Sequence, residues 1–233
     1  LTTNSQAGKT SYSEWLEISP KEISVIHNGV DFEFMEKSKS SRKFNKRFKE
    51  VGIKKGHKIV GGVFRLEAGK RVELWLDSFA EALKEESALR GIIVGSGRME
   101  ETIGAWIKER DLGNRVSLVG SSDDVASWLG KMDVFLLTSQ TEGLPNVIIE
   151  AQGFGVPCIS TDVGGAGEVI EHGKSGFVVD SSDSREIAGA ILKGLGRKNK
   201  SLGIRAKRRA RKIFSIDSMI KNTHNHYLDI LSD

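Results

Sequence analysis

The sequence predicts an α/β fold built on a Rossmann-like, doubly wound parallel sheet, and three observations carry that prediction. From about residue 58, short apolar runs alternate with amphipathic helical stretches, the signature of repeated βαβ units. Several runs, Val134-Phe-Leu-Leu137 above all, are apolar throughout, as strands covered on both faces must be. The 233 residues are 38% hydrophobic and 28% charged, which supports a sizeable core and excludes a disordered or fibrous chain.

Taken in order, residues 58–64 read as a buried strand and 71–84 as a helix with Val72, Trp75, Leu76, Phe79 and Leu83 on one face. Strands follow at 89–94, 115–119, 133–137, 156–160 and 176–179. Helices are expected over 98–110, 125–129, 146–153 and 167–172, and helix with glycine breaks after Ser182. The first 55 or so residues break this rhythm. A helix over 5–16, a short strand over 23–27 and a turn at Asn28-Gly29 read as the tail of an earlier unit. The expected division is therefore 1–57 as lead-in, 58–214 as the ligand-binding domain and 215–233 as a separate terminal helix.

No apolar run reaches the roughly 18 residues of a membrane helix. No charged-apolar-small signal segment opens the chain, which begins at Leu1 rather than Met. The single cysteine, Cys158, lies in an apolar stretch and reads as a core thiol. A cytoplasmic globular protein is expected.

Charge is unevenly spread. Residues 37–58 carry ten Lys/Arg and one acid, and 197–212 carry nine Lys/Arg and none. These runs read first as solvated helix faces and second as a surface for an anionic membrane, at the inner face of the plasma membrane. Nucleic acid is not an expected partner. Phe44 and Phe48 recur at helical spacing, as core contacts do, rather than interleaving with the cations for base stacking.

In a doubly wound sheet the ligand sits at the carboxyl ends of the strands, so the βα loops decide function. Two stretches resembling P-loops fail on glycine spacing, and Arg71 stands where the magnesium-binding Ser/Thr belongs. Gly95-Ser-Gly97 follows a strand but lacks the third glycine of a dinucleotide fingerprint. Arg65 and Lys70 follow the first strand, where two cations could grip a diphosphate without metal. Glu142 and Glu150 flank the start of the helix whose first turn holds Pro145, with the amides of Gly143–Asn146 facing an anion. That pair could hold a ribose and a sugar on either side of a phosphate. Dipole complementarity, or the acid pair of a hydrolase, are the other readings. Thr161-Asp-Val-Gly-Gly165 adds a glycine pair suited to close approach, and the five histidines show no catalytic or ligand spacing.

The ordered set of these segments resembles the C-terminal, donor-binding half of GT-B retaining glycosyltransferases of family 4. Its markers are Val25-Ile-His-Asn-Gly-Val-Asp31, Phe64-Arg-Leu66 with Lys70, Val94-Gly-Ser-Gly97 and Arg115-Val-Ser-Leu-Val-Gly120. The Glu142-x7-Glu150 segment and Gly153-Phe-Gly-Val-Pro157, leading to Thr161-Asp-Val-Gly-Gly165, complete it. The resemblance implies a nucleoside diphosphate sugar as donor, uridine first and guanosine second, and a glycan or lipid-linked acceptor in polysaccharide or glycoconjugate synthesis. No metal or other cofactor is implied. Arg65 and Lys70 would neutralise the diphosphate, Glu142 would contact the sugar and Glu150 the ribose. Gly143, Leu144, Pro145 and Asn146 would cradle phosphate and sugar, and Val119 and Gly120, with Gly95 and Gly97 nearby, would line the base. Phe64 departs from the glycine common before Arg-Leu, and the N-terminal acceptor domain with its usual catalytic histidine is expected to lie outside this sequence. A GT-B nucleotide-sugar epimerase and a non-catalytic nucleotide- or partner-binding module are the alternatives.

Overall fold

The computed structural model describes residues 1–37, 42–197 and 199–232. Two parallel two-residue strands, β1 (Thr2–Thr3) and β2 (Ser24–Val25), are joined by helix α1 (Gln6–Leu16). Helix α2 (Phe32–Lys37) leads into the first basic run, and α3 (Arg42–Glu50) lies within it. The main unit opens with β3 (Lys58–Val63), α4 (Val72–Glu85), β4 (Leu89–Val94), α5 (Glu100–Glu109) and β5 (Val116–Leu118). It continues through α6 (Val125–Leu129), β6 (Val134–Leu137), α7 (Asn146–Gly153), β7 (Cys158–Thr161), α8 (Ala166–Val169) and β8 (Gly176–Val179). Helices α9 (Ser184–Leu195), α10 (Asn199–Ile213) and α11 (Ile216–Ser232) close it.

Strands β3 to β8 are all parallel, in the order β5-β4-β3-β6-β7-β8. The chain steps outward from β3, then returns to β3's other side to begin again at β6. The sheet is thus doubly wound as the periodicity predicts, and β3 and β6 open a crevice at their carboxyl ends. All four residues of β6 are buried, as its unbroken apolarity requires. Helix α4 buries Val72, Trp75, Leu76, Phe79 and Ala82. Its Trp75 and Phe79 rings stack 5.5 Å apart against β4, where Gly91 leaves them room: a Cβ there would lie 3.0 Å from Trp75 and 3.4 Å from Phe79. Cys158 is fully buried, and burial pushes its thiol well above the usual range.

Three local expectations are corrected. Asn28-Gly29 is not a turn: Val30 bridges Ser215, and Gly29 lies where a Cβ would come 2.7 Å from the Ile216 backbone. The glycine is there for close approach of α11. The helix expected over 167–172 is one turn, because Ile170 is already extended and His172 bridges Gly176. The strand expected from residue 156 starts at Cys158, since the Val156 amide turns back to the Ala151 carbonyl and closes α7.

The basic runs are more than solvated faces. Phe44 and Phe48 pack on Trp128, with ring centroids 5.0 and 6.0 Å away, as helical spacing implies. Arg47 beside them donates to the Val119 and Ser121 carbonyls. On α10, Arg209 donates to the Glu168 and Val169 carbonyls at the end of α8, while Lys207 and Arg211 pair with Glu36. A short helix leaves terminal carbonyls unpaired, and Arg209 satisfies those of α8; Arg47 does the same for the loop carbonyls that follow β5. Lys39 and Lys198, which belong to the two runs, lie outside the described residues. Among the described residues no helix is long and apolar enough to cross a membrane.

The lead-in is fastened to the main unit through helix α8. Glu168 accepts from the Gln6 and Ala7 amides at the start of α1 and from His27 Nε2 at 3.0 Å. That gives His27 a structural partner.

Candidate active site

The switch-point crevice is a cavity of about 360 Å³ lined by Arg65, Glu67 and Lys70 after β3 and by Thr141, Glu142 and Gly143 after β6. A larger hollow, about 550 Å³, lies between β1 and α11, and neither carboxylate nor lysine nor arginine lines it. The chemistry gathers in the smaller one.

Backbone ties hold the two loops together. The Thr138 hydroxyl reaches the Lys70 and Arg71 carbonyls at 3.0 and 3.1 Å, and Gln140 N donates to the Gly69 carbonyl at 2.8 Å. Lys70 Nζ then donates to Glu142 Oε1 at 2.5 Å, and the Ser139 hydroxyl donates to the same oxygen at 2.6 Å. Both charged side chains are largely enclosed, 22% and 15% exposed. Glu142 Oε2 accepts nothing among the described residues. Arg65 is exposed, and its guanidinium is likewise unpaired among them. The Gly143, Leu144 and Asn146 amides donate to no described acceptor, so they remain open at the mouth of α7. Pro145 caps α7 and Asn146 is its first residue, one position later than the sequence implied for the proline. The Asn146 side chain accepts from Asn28 of the lead-in at 2.8 Å.

Arg71 organises the crevice. Its backbone is left-handed (φ 46°, ψ 52°), a conformation that costs a side-chain-bearing residue about 1 kcal/mol. Its guanidinium spans three loops, donating to the Thr138 and Ser139 carbonyls at 2.7 and 2.9 Å and to the Ser182 hydroxyl at 2.9 Å. Thr161 completes the brace by donating to the Ser139 carbonyl at 2.9 Å. Arg71→Ala removes three charge-assisted bonds and keeps the strain, and is expected to cost about 3 kcal/mol. Arg71→Gly removes the strain as well, and should lie about 1 kcal/mol above Arg71→Ala in denaturant melts. Equal melts for the two would show that the backbone at this position is not strained.

Glu150 is the fifth residue of α7, and it is half-buried. Burial alone raises its carboxyl from 4.5 to about 7. Between those values the folded chain holds a proton there that the unfolded chain lacks. The stabilising contribution is therefore complete below about pH 4.5 and lost as pH rises through about 7. Glu150→Gln should match the wild type at pH 4 and exceed it at pH 8, by roughly 3 kcal/mol at most. Urea melts at the two pH values check this; an equal gap at both would sink it.

The remaining glycines bring loop to loop. Gly95 (φ 144°) has room for no Cβ, which would fall 1.9 Å from the Phe64 carbonyl, and one on Gly97 would fall 2.5 Å from the Leu66 carbonyl. The Gly95 amide donates to Gly120 (φ 71°), and Val119 N to Ile93. These four residues thus set the ends of β4 and β5 against the Arg65 loop. Gly164 and Gly165 do the same for Glu142: the Gly165 amide donates to the Gly143 carbonyl at 2.7 Å. Phe64 is accommodated because its ring lies over Gly62, two positions back on the same strand face.

Sequence reasoning missed Arg71, Thr138, Ser139 and Asn28. The hydroxyl pair directly after an apolar strand was the available signal for two of them. Among the described residues no group of three or more His, Cys, Asp or Glu is placed to hold a metal ion.

A doubly wound parallel sheet whose switch point gathers cations, a carboxylate and open amides is a Rossmann-like α/β unit with its polar groups where such sheets bind ligands. The chain belongs to the glycosyl transferases group 1 family, whose profile matches residues 43–212. It is 35% identical over 187 residues to the Vi polysaccharide biosynthesis protein VipC/TviE of Salmonella typhi, covering 78% of this chain and 32% of that protein. It is 31% identical to the N-acetyl-alpha-D-glucosaminyl L-malate synthase of Bacillus anthracis, covering 91% of this chain and 55% of that one. An Escherichia coli alpha-1,3-galactosyltransferase acting on alpha-D-GlcNAc-diphosphoundecaprenol with UDP-Gal is 29% identical, covering 93% and 56%. Anabaena Alr3699/HepE, solved with UDP and glucose, superposes with a TM-score of 0.84 at 25% identity, covering 98% of this chain and 62% of that one. The chain thus spans about half or less of the length of these curated relatives. The fold is that of the C-terminal, Rossmann-like domain of GT-B glycosyltransferases.

Proposed function

We propose that this chain is the donor-binding half of a retaining, family 4 glycosyltransferase. It would move a sugar from a nucleoside diphosphate sugar, with UDP as the first candidate, to a glycan or lipid-linked acceptor, without a metal. The observation that carries this is the Lys70–Glu142–Ser139 cluster at the switch point, beside an unpaired Arg65 and three open amides. Lys70 and Arg65 face the diphosphate and offset the charge that builds on it as the sugar leaves. Glu142, held through Oε1, keeps Oε2 for a sugar hydroxyl, and Glu150 accepts from the ribose. The acceptor attacks from the face the diphosphate leaves, and a phosphate oxygen takes its proton.

The acceptor side belongs to a partner domain. Trp15 on α1 is 75% exposed, and Ile220, Tyr227 and Leu231 on α11 are 57%, 62% and 83% exposed, beside the two-residue strands of the small sheet. Two such strands are too short to stand as a sheet of their own. The proposed site of action is the cytoplasmic membrane surface, in keeping with the diphosphoundecaprenol substrate of the Escherichia coli relative.

Calorimetric titration of the chain with UDP, GDP, ADP and CMP, without metal, tests the reading. One nucleoside diphosphate should bind, and Glu150→Ala and the Arg65→Ala/Lys70→Ala pair should each weaken it at least tenfold. Binding that ignores both variants, or sugar transfer by this chain alone, would overturn it.

A further inference from the structure

The opposite edge of the sheet carries a second charged cavity that the donor reading does not use. It measures about 410 Å³ and lies at the amino ends of β3, β4 and β5, with Lys54, His57, Arg90 and Arg115 in its wall. The six-residue length of β3, about 20 Å, separates it from the crevice. Glu50 is the one carboxylate in the wall, and it forms no ion pair with any of the four among the described residues. Glu86, the nearest acid in sequence to Arg90, is already taken by Lys58 at 2.5 Å.

The two arginines are anchored without being neutralised. Arg90 donates to the Leu89 carbonyl at 2.6 Å and Arg115 to the Ser87 carbonyl at 2.9 Å, and each keeps most of its five donors for other use. Lys54 is exposed and its ammonium has no partner among the described residues. His57 accepts from the Lys54 amide through Nδ1 at 3.1 Å, so the neutral ring carries its proton on Nε2 as a donor. Burial, then Arg115, lowers Arg90, and burial followed by Arg90, Lys54 and Arg115 lowers His57. Like charges gathered in one cavity destabilise the fold unless an anion joins them.

We propose that this cavity is a phosphate-binding site, distinct from the donor crevice, in which the Arg90 and Arg115 guanidinium groups, Lys54 and His57 Nε2 hold one phosphate group. Planar guanidinium forks match phosphate oxygens in pairs, which two lysines would not. The phosphate is either that of a small soluble compound or the headgroup of an anionic lipid. The first source makes the cavity an effector site; the second makes it a membrane contact through the basic edge that α3 extends.

NMR of the His57 imidazole, assigned with His57→Gln, reads the site alone and is indifferent to events at the crevice. With inorganic phosphate or pyrophosphate present, the His57 titration midpoint should rise by about one pH unit. Arg90→Gln/Arg115→Gln should abolish that rise and Lys54→Gln should reduce it; the latter touches no packed side chain and guards against misfolding of the double variant. In parallel, sedimentation with phosphatidylglycerol vesicles is compared with sedimentation with phosphatidylcholine. A soluble-anion response lost in the variants supports the site and a free phosphate compound. Phosphatidylglycerol binding lost in the variants, without a soluble response, supports the site and a lipid headgroup. No response to either probe, or responses that survive both variants, overturns the proposal.

Discussion

Lys70→Ala in the full-length enzyme is expected to lower kcat by about 10²–10³-fold, with a smaller change in donor KM. The ammonium is fixed in the crevice by Glu142 at 2.5 Å, and the carboxylate is fixed in turn by Ser139. In the proposed reaction a diphosphate entering beside Arg65 would meet a cation already in position, and the charge released as the sugar departs would grow next to it. Removal of the ammonium has a second effect. Glu142, 15% exposed, becomes an unpaired carboxylate facing an anion, so part of the loss is repulsion. Lys70→Ala/Glu142→Gln removes that repulsion and should bind donor more tightly than Lys70→Ala, although both turn over slowly. Steady-state kinetics on the three proteins separate the terms. A kcat within fivefold of wild type in Lys70→Ala would remove Lys70 from the mechanism.

Gly164→Ala should be the most damaging single methyl group in the molecule's active half. The residue has φ 49°, and an added Cβ would stand 1.8 Å from the Glu142 carbonyl oxygen and 2.8 Å from that of Gly143. Backbone rather than a flexible side chain occupies the space, so the loop itself must move. A loss of about 3 kcal/mol or more is expected, equivalent to roughly 6–12 °C in Tm for a chain of this size. Displacing this backbone also displaces the Glu142 side chain, so nucleotide affinity should fall with stability. Gly167→Ala, three residues on, is the control. Its Cβ would meet nothing within 4 Å, inside helix α8, and its stability should stay level or rise by about 0.5–1 kcal/mol. Thermal melts of the two proteins with and without the nucleotide give the comparison.

The parts of this architecture that were legible in the sequence are those governed by local pattern. Strands β4 and β8 and helices α6 and α7 have the bounds that apolar runs and turn residues imply, because each is closed by its own neighbours in sequence. Lys70 and Glu142 were legible as βα-loop residues, though their contact was not, since it joins positions 72 residues apart. Arg71 escaped for a physical reason. Its value lies in a left-handed backbone and carbonyl acceptors 67 and 68 residues away, and no spacing rule encodes either. Asn28 and Asn146 are farther still, 118 residues apart. Gly95 and Gly97 were legible as sites of close approach, while the backbone they approach, Phe64 to Leu66, emerged only with the fold. The basic runs read as solvated because charge is counted residue by residue, whereas the carbonyls that Arg47 and Arg209 satisfy are a product of chain packing.

The place of β6 beside β3 also sets when the crevice comes into being. Neighbouring strands on either side of it pair over short stretches of chain: Lys58 opposite Leu89, Phe135 opposite Cys158. The seam itself, where Asp133 accepts from the Ile59 amide, closes across 74 residues. Contacts of that span form late, after the loop-closure entropy of everything between them has been met. The segments from β3 to β5 and from β6 to β8 can each condense as a unit before they dock, and neither unit alone contains both Lys70 and Glu142. The reactive mouth is thus the last region to exist as the chain folds, and the first to part when the two halves separate.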